Sequence, residues 1–129
     1  MVAKAQKEFV VSIENRPGTL ADIANALGKA NVNILGFELQ AQGDFGQFRF
    51  TTDEVAKAET TLKNSHVHYR GTEIVTVTAP NNPGELGRLA ARIANSGVNI
   101  EAAYPIFGND APQIAFRVDD VPSAVKALQ

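Results

Sequence analysis

The chain has 129 residues with 44% hydrophobic content, enough to bury the core of one ordinary domain or of two very small ones. Its formal net charge of −2 gives no general attraction to nucleic acid or to an anionic membrane, and the lack of cysteine excludes disulfides, thiolate zinc sites and thiol nucleophiles. No apolar stretch has the length of a signal peptide or a membrane span, so the sequence predicts a soluble, cytoplasmic protein with neither nucleic-acid nor membrane partners.

The first half of the chain predicts strands and helices in alternation. Residues 8–13 alternate apolar and polar side chains at the two-residue period of a strand. Apolar residues at helical spacing follow Pro17, where a helix can begin: Leu20, Ile23, Ala24 and Leu27. The later patterns predict strands at residues 31–41 and 46–51, a second helix with Asp53 as its N-cap, and a closing strand at residues 66–70.

The second half repeats the first with an offset of 66 residues. Residues 7–63 align without a gap to residues 73–129, and 16 of these 57 pairs are identical. This identity predicts an internal duplication with its join near Gly71 and Thr72. The repeated elements are predicted as a strand at residues 73–79, a helix after Pro83, strands at residues 98–107 and 112–118 around a turn, and a helix with Asp119 as its N-cap.

The repeated order predicts an α+β fold. Each copy follows the ferredoxin-like order strand-helix-strand-strand-helix-strand, with one antiparallel sheet and both helices on one face. The predicted modules are residues 1–71 and residues 72–129. The second module lacks its last strand, which would leave the strand at residues 73–79 with an edge that another chain or the first copy's final strand must cover.

The second predicted strand, at residues 31–41, also bears on association. Leu35, Phe37 and Leu39 would lie on the opposite face from Ile34 in a regular strand, so apolar residues would emerge on both faces. Either a β-bulge after Asn33 changes the register, or the outer face packs against another subunit. Together with the uncovered edge, the second alternative favours a homo-oligomer such as a dimer.

The loops ENRPGTL and PNNPGEL, which separate strand from helix in the two copies, carry the strongest functional signal. Pro17 and Pro83 preset the backbone for a helix, while Gly18 and Gly84 keep side-chain bulk away from the free N–H groups of its first turn. Those donors and the positive end of the helix dipole favour an anion such as a carboxylate. The same residues also suit an ordinary turn.

Four asparagines accompany these loops. Asn15 and Asn81 precede the prolines and offer both a donor and an acceptor, while Asn33 and Asn99 stand at second-strand starts, where β-branched residues are preferred. Each asparagine could merely close a turn, but all four are retained while the surrounding loops differ between copies. The predicted ligand contacts are Asn15, Pro17, Gly18, Asn33, Asn81, Pro83, Gly84 and Asn99.

The runs IENRPGTLADIANALGKANVNI and APNNPGELGRLAARIANSGVNI resemble the entry segment of the ACT domain, a ligand-sensing module of amino-acid metabolism. The resemblance covers nearly the whole chain as two tandem copies, as in free-standing tandem ACT proteins. The first copy is similar to the regulatory small subunit of acetolactate synthase and to the regulatory domain of phosphoglycerate dehydrogenase. The resemblance implies a non-catalytic regulator without a cofactor, with a small amino acid as ligand and an amino-acid biosynthetic enzyme as a candidate partner in trans.

The serine-sensing relative implies where the ligand lies. There the loop before the first helix of one module faces the second-strand start of another. The resemblance implies that the four asparagines are polar ligand contacts and that the two loop glycines allow backbone approach. The family pattern has histidine two residues before the loop asparagine, where this chain has Ile13 and Ala79. This departure favours a more apolar ligand, such as a branched-chain amino acid.

Other functions have weaker signals. The sequence has no GxGxxG or phosphate-binding loop, and His66 and His68, on one face of a predicted strand, lack a third metal ligand. We therefore predict neither an enzyme nor a metal site. Two alternatives are a ligand-free assembly module that pairs through sheet edges and an RNA-binding ferredoxin-like domain that uses the aromatic residues of FGQFRF.

Overall fold

The structure is a computed structural model that describes residues 2–107 and 111–129. The turn predicted near residues 108–111 therefore lies mostly outside the described residues. The described elements are β1 (Ala3–Glu14), α1 (Thr19–Lys29), β2 (Gly36–Gln42), β3 (Phe45–Thr51), α2 (Val55–Asn64), β4 (His68–Thr78), α3 (Glu85–Asn95), β5 (Ile100–Ile106), β6 (Gln113–Val118) and α4 (Val121–Leu128). Judged by length and hydropathy, a membrane-spanning helix is absent from this described part of the chain.

The chain divides into two compact units. The first unit is Lys7–Thr72, and the second unit is Glu73–Gln129 together with residues 2–6. The sequence analysis placed residues 1–6 in the first module, whereas the structure groups residues 2–6 with the second unit. Strands β1 and β4 each contribute residues to both units.

The first unit is a sheet that packs against α1 and α2. Within it β1 lies between β3 and β4, and β2 lies beyond β3, with antiparallel β1–β3 and β2–β3 pairs. Phe9, Val11 and Ile13 of β1 lie on one face of the strand, and this face forms a core with both helices. This core includes Phe9, Val11, Ile13, Ile23, Leu27, Phe48, Phe50, Ala58 and Leu62. The predicted α+β class is confirmed.

The N-terminal residues complete the sheet of the second unit. In this unit β4 pairs with β6, and β6 with β5, in antiparallel register. Beside β4, Thr78 N donates to Val2 O at 3.0 Å, Val2 N donates to Thr78 Oγ1 at 2.9 Å, and Ala3 is buried in the core. Residues 2–6 thus lie along the strand that the sequence analysis left uncovered. The edge of this strand is therefore covered within the chain, so the uncovered edge no longer supports association with another chain.

The strand after α1 begins later than the sequence predicts. β2 starts at Gly36, and Phe37 and Leu39 pair with Phe50 and Phe48 of β3, so they lie on the same face of the sheet as these buried side chains. Phe37 and Leu39 are themselves 46% and 40% exposed, so β2 presents apolar side chains at the surface, although not on the face that the sequence analysis considered. In the second unit, the pairing of β5 with β6 shifts register between Ile100 and Ala102, as it does at a β-bulge.

Both predicted N-caps of the later helices are wrong by one residue. α2 begins after Glu54, and α4 begins after Asp120, whose carboxylate accepts from Ser123 N at 3.1 Å. Asp119 instead accepts from the backbone N–H of Asn99 at 3.0 Å. This bond ties the start of β5 to the end of β6.

Candidate functional site

The loop before each first helix ends at a glycine in the left-handed region. Gly18 has a φ of 92° and is the N-cap of α1, so Pro17 lies before the helix and not in its first turn. Gly84 has a φ of 87° and precedes α3 in the same way, with Pro83 before it. A Cβ atom at either glycine would meet nothing within 4 Å. Backbone conformation, and not close packing, therefore favours glycine here.

The first turn of each of these helices keeps backbone donors available. Thr19 N donates to Arg16 O at 3.4 Å, and no side chain caps α1. Among the described residues, none accepts a hydrogen bond from the N–H groups of Gly18, Leu20 and Ala21. The same is true in the second unit of the N–H groups of Gly84, Leu86 and Gly87. Both helix starts can therefore donate to an anionic group.

Asn15 is fixed by the turn between β2 and β3. Its backbone N–H donates to Asp44 O at 2.8 Å, and its Nδ2 donates to Gly43 O at 2.8 Å. The side-chain oxygen of Asn15 remains an acceptor. The sequence counterparts of Gly43 and Asp44 are residues 109 and 110, which lie outside the described residues.

Arg16 and Thr19 form hydrogen bonds within the first loop. Thr19 Oγ1 donates to Glu14 O at 2.7 Å and to Arg16 O at 3.1 Å. Arg16 Nε donates to Glu14 Oε2 at 2.7 Å, and this hydrogen bond raises the pKa of Arg16 above its ordinary value. The sequence analysis did not select these two residues because the second copy has Asn82 and Glu85 in their places.

Asn33 and Asn99 lie at the other end of their units from the loops. Asn33 is exposed in the segment between α1 and β2, so the whole of α1 separates it from Asn15. A helix of 11 residues is about 16 Å long. Within one unit the structure therefore does not bring Asn15 and Asn33 together, and α3 separates Asn81 from Asn99 in the same way.

A small pocket lies beside the first loop. Its volume is about 110 Å³, and its lining includes Asn15, Gly18, Leu20 and Leu39. Small-molecule sites usually measure roughly 300 Å³ or more. The loop of the first unit alone therefore does not enclose an amino acid in this pocket.

The structure also bears on the weaker functional signals. Phe48 and Phe50 are fully buried in the core with the helices, whereas Phe45 is 58% exposed, so FGQFRF offers one exposed aromatic residue and not a row of them for RNA bases. His66 precedes β4 with a φ of 54°, and β4 begins at His68, so the two histidines do not alternate along one strand. In the described ranges, no three histidine or acidic residues form a group that could hold a metal ion.

Comparison with known proteins identifies the family. A family model described as an ACT domain pair matches residues 5–128, so the chain belongs to the ACT domain pair family. Among curated proteins, none matches this sequence.

Solved structures share the fold. Protein BT0572 from Bacteroides thetaiotaomicron is 27% identical, with a TM-score of 0.87 over 98% of this chain and 88% of that chain. The ligand-free regulatory subunit of aspartate kinase from Thermus thermophilus is 16% identical, with a TM-score of 0.69 over 99% of this chain and 95% of that chain. The corresponding subunit from Thermus flavus has a TM-score of 0.65 at 15% identity, over 99% of this chain and 95% of that chain.

Proposed function

We propose that this chain is a non-catalytic regulatory protein that binds a small amino acid at the loops before α1 and α3. Its family membership supports this function. The observation that carries the proposal is the open start of both helices, where glycine leaves free space and the first-turn N–H groups have no acceptor among the described residues. These donors bind the ligand carboxylate, and the asparagine side chains bind its ammonium group.

A second module completes the site in this proposal. The pocket beside the first loop is small, and Asn33 lies at the far end of its own unit from Asn15. We therefore assign Asn33 and Asn99 to contacts with a ligand whose carboxylate is held by the loop of another module. Binding at such an interface would couple the ligand to module packing or to subunit association.

The ligand is proposed to have an aliphatic side chain. Ile13 and Ala79, which replace the family histidine, are both buried, and Ile13 lines the pocket beside the first loop. An apolar wall at this position stabilises an aliphatic side chain better than a hydroxyl group that finds no partner.

An enzyme of amino-acid biosynthesis is the proposed partner in trans. The same fold serves as a regulatory subunit of aspartate kinase in Thermus thermophilus. Co-purification of a tagged chain with candidate biosynthetic enzymes, with and without the bound amino acid, tests this part of the proposal separately from ligand binding.

Thermal unfolding in the presence of each common amino acid tests the binding. A ligand at a hundredfold excess over its dissociation constant stabilises the folded state by about 2.7 kcal/mol. We expect an aliphatic amino acid to raise the Tm and serine to raise it less. If no amino acid raises the Tm and the chain still self-associates, the ligand-free assembly module is the better description.

Asparagine variants locate the site. Asn33→Ala is the cleaner variant, because the described residues form no hydrogen bond with the Asn33 side chain, whereas Asn15→Ala also removes the bond to Gly43 O. We expect Asn33→Ala to retain the Tm of the wild type without ligand and to lose most of the ligand-induced rise. An unchanged rise in Asn33→Ala and Asn99→Ala would exclude these residues from the site.

A further inference from the structure

The sheet of the first unit carries polar side chains on the face opposite its helices. Ser12 of β1, Gln47 of β3 and Gln40 of β2 are paired neighbours on this face. A cavity of about 310 Å³ lies there, which is in the range of sites that enclose small molecules, roughly 300 Å³ or more. We call it the amide cavity because three glutamines line it. Its wall includes Ser12, Gln40, Gln42, Phe45, Gln47 and Arg49.

The carboxamide groups of the amide cavity are available to a ligand. Gln40 and Gln42 are exposed, and neither side chain has a hydrogen-bond partner among the described residues. Gln47 Oε1 accepts from Arg49 Nη2 at 2.8 Å, so the side-chain nitrogen of Gln47 remains a donor. A carboxamide offers a donor and an acceptor side by side. The amide cavity is therefore complementary to a ligand edge that presents an acceptor beside a donor.

The charge of Arg49 is already balanced within the unit. Its Nη1 lies 3.5 Å from Glu8 Oε1, and its Nε lies 4.0 Å from Glu38 Oε1. Among the nucleobases, arginine preferentially binds guanine and a carboxylate binds cytosine, whereas glutamine forms two hydrogen bonds with N6 and N7 of adenine. Because the charged groups bind each other, the glutamines have the unused hydrogen-bonding capacity, and they favour adenine.

Phe45 supplies an aromatic surface beside these glutamines. Its side chain is 58% exposed, and Phe45 pairs with Gln42 between β3 and β2. Nucleobases stack on aromatic side chains, and each stacked base contributes substantially to binding. One exposed ring beside several carboxamides therefore suits a single base.

The second copy lacks this combination of side chains. Ile106 replaces Gln40, and Ala111 replaces Phe45, while the glutamine of the central strand is retained as Gln113. The repeated fold therefore does not require the other glutamine or the aromatic ring at these positions. Their presence in the first unit is consistent with a binding function of that unit.

A second hollow on the same face adjoins the amide cavity. Its volume is about 180 Å³, and it shares Ser12 and Gln47 with the amide cavity. It extends to β4, where its wall includes His68 and Arg70. Tyr69, between them, packs against the core that contains the helices. Because successive side chains of a strand point to opposite faces, His68 and Arg70 lie on the face of the amide cavity.

His68 and Arg70 can bind a phosphate group. Both are exposed, and no described residue forms a hydrogen bond or an ion pair with either side chain. A guanidinium group binds phosphate through two parallel hydrogen bonds, and an imidazole can add a third donor. The face from β2 to β4 spans four neighbouring strands, or about 14 Å. A mononucleotide can therefore place its base in the amide cavity and its phosphate beside β4.

We infer that the first unit binds an adenine mononucleotide on the face of its sheet opposite the helices. Gln40 and Gln47 bind the edge of the base, Phe45 stacks on the ring, and Arg70 with His68 binds the phosphate. This activity goes beyond the proposed amino-acid binding, and none of these five side chains lines the small pocket beside the first loop.

Titration calorimetry with three probes tests the ligand chemistry. Adenosine 5′-monophosphate is expected to bind with one molecule per chain. Guanosine 5′-monophosphate presents an acceptor in place of the N6 donor, and adenosine lacks the phosphate, so each is expected to bind about tenfold or more weakly. The inference is overturned if adenosine 5′-monophosphate does not bind or if either analogue binds equally well.

An oligoadenylate RNA distinguishes a free nucleotide from RNA as the source of the adenine. We expect it to bind no more tightly than adenosine 5′-monophosphate, because the face has room for one base beside one aromatic ring. Tighter binding that weakens steeply with added salt would indicate contacts along an RNA backbone and would overturn the mononucleotide assignment.

Variants at exposed positions locate the nucleotide. Gln40→Leu and Phe45→Leu are each expected to weaken binding of adenosine 5′-monophosphate about tenfold with little change in Tm. Arg70→Gln is expected to abolish the preference for this nucleotide over adenosine. Gln113→Leu, at the counterpart of Gln47, and Lys29→Gln, which removes an exposed cation of α1, are controls expected to bind as the wild type does. Unchanged binding in both leucine variants would contradict the site.

Asn33→Ala separates this inference from the proposed function. This variant is expected to lose most of its amino-acid binding and to bind adenosine 5′-monophosphate as the wild type does. Loss of nucleotide binding in Asn33→Ala, with retained binding in Phe45→Leu, would place the nucleotide at the proposed amino-acid site and overturn the amide cavity. Loss of amino-acid binding alone leaves the inference intact.

Discussion

Glu8 of β1 and Arg49 of β3 form an ion pair, with Arg49 Nη1 3.5 Å from Glu8 Oε1. Glu8 is fully buried, and Thr72 Oγ1 also donates to Oε1 of Glu8 at 3.2 Å. Arg49 is in addition 4.0 Å from Glu38 and donates to Gln47 Oε1 at 2.8 Å. The buried carboxylate thus has a charged partner and a hydroxyl donor, as burial of a charge requires.

The second unit has apolar residues at these positions. Ile74, Tyr104 and Ala115 stand 66 residues after Glu8, Glu38 and Arg49, and all three are buried. The first copy therefore has charged side chains at three positions where the second copy has buried apolar or aromatic side chains. A buried ion pair is seldom more stabilising than well-packed apolar residues, but removal of one partner is costly.

We predict that Arg49→Ala lowers the free energy of unfolding by about 3 kcal/mol, because it leaves the buried carboxylate of Glu8 without its cation. Urea denaturation at neutral pH measures this change. Arg70→Ala, which removes an exposed arginine of β4, is the control and is expected to change the stability little.

The triple variant Glu8→Ile, Glu38→Tyr and Arg49→Ala introduces the residues of the second unit. It is expected to be at least as stable as Arg49→Ala alone, because no buried charge is left unpaired. A triple variant that is less stable than Arg49→Ala would show that the apolar residues of the second unit do not fit these positions in the first unit.

The repeat made most of the fold predictable from the sequence. Period-two alternation at Phe9, Val11 and Ile13 and helical spacing at Ile23 and Leu27 are local signals, and the second copy repeated them. The glycines Gly18 and Gly84 were predicted to keep the helix starts open, and both have the positive φ that favours glycine.

The parts that could not be predicted depend on contacts between distant residues. The sequence of residues 2–6 does not indicate that this segment pairs beside Thr78 in the second unit, because the segment precedes the first copy in the chain. Asp119 was predicted as the N-cap of α4, but both Asp119 and Asp120 are acidic, and the sequence alone does not show that Asp119 accepts a hydrogen bond from Asn99 N while Asp120 caps the helix.

Gly18→Ala is predicted to lower the free energy of unfolding by about 1 to 2 kcal/mol, because a residue with a Cβ is strained in the left-handed conformation. The added methyl group meets no atom within 4 Å, so steric overlap does not contribute. Chemical denaturation measures the loss, and Gly84→Ala is expected to behave alike.

Gly28→Ala is the matched control for this strain. Gly28 lies within α1, where an added Cβ also meets nothing within 4 Å, and its φ is not in the left-handed region. Alanine there is expected to stabilise the chain by about 0.5 to 1 kcal/mol. If both substitutions shift stability in the same direction, backbone strain at Gly18 is not the cause.

Asp120→Ala is predicted to lower the Tm at neutral pH, because the Asp120 carboxylate accepts from Ser123 N and Ser123 Oγ at the start of α4. These bonds lower the pKa of Asp120 below its ordinary value of 3.8. The stabilisation is therefore present above that value and is lost as the pH falls through the lower pKa of the folded state. Tm measurements of both proteins from neutral to strongly acidic pH should converge at the acidic end. Asp53→Ala, which removes an acid that does not cap α2, should show a smaller difference at every pH.

Arg92 of α3 forms hydrogen bonds with the end of α4. We predict that Arg92→Met increases local unfolding of the second unit and leaves the first unit unchanged. Arg92 Nε donates to Ala127 O at 3.0 Å, and its Nη2 donates to Gln129 O at 2.8 Å. The methionine keeps an apolar stem of similar length but leaves these carbonyl groups without a charged donor, at a cost of about 1 to 2 kcal/mol. Amide hydrogen exchange is the measurement, with faster exchange expected in α4 and little change in α1 and α2. Lys126→Met, at an exposed position of α4, is the control. Equal acceleration of exchange in both units would show that Arg92 supports the whole chain and not only the packing of α3 on α4.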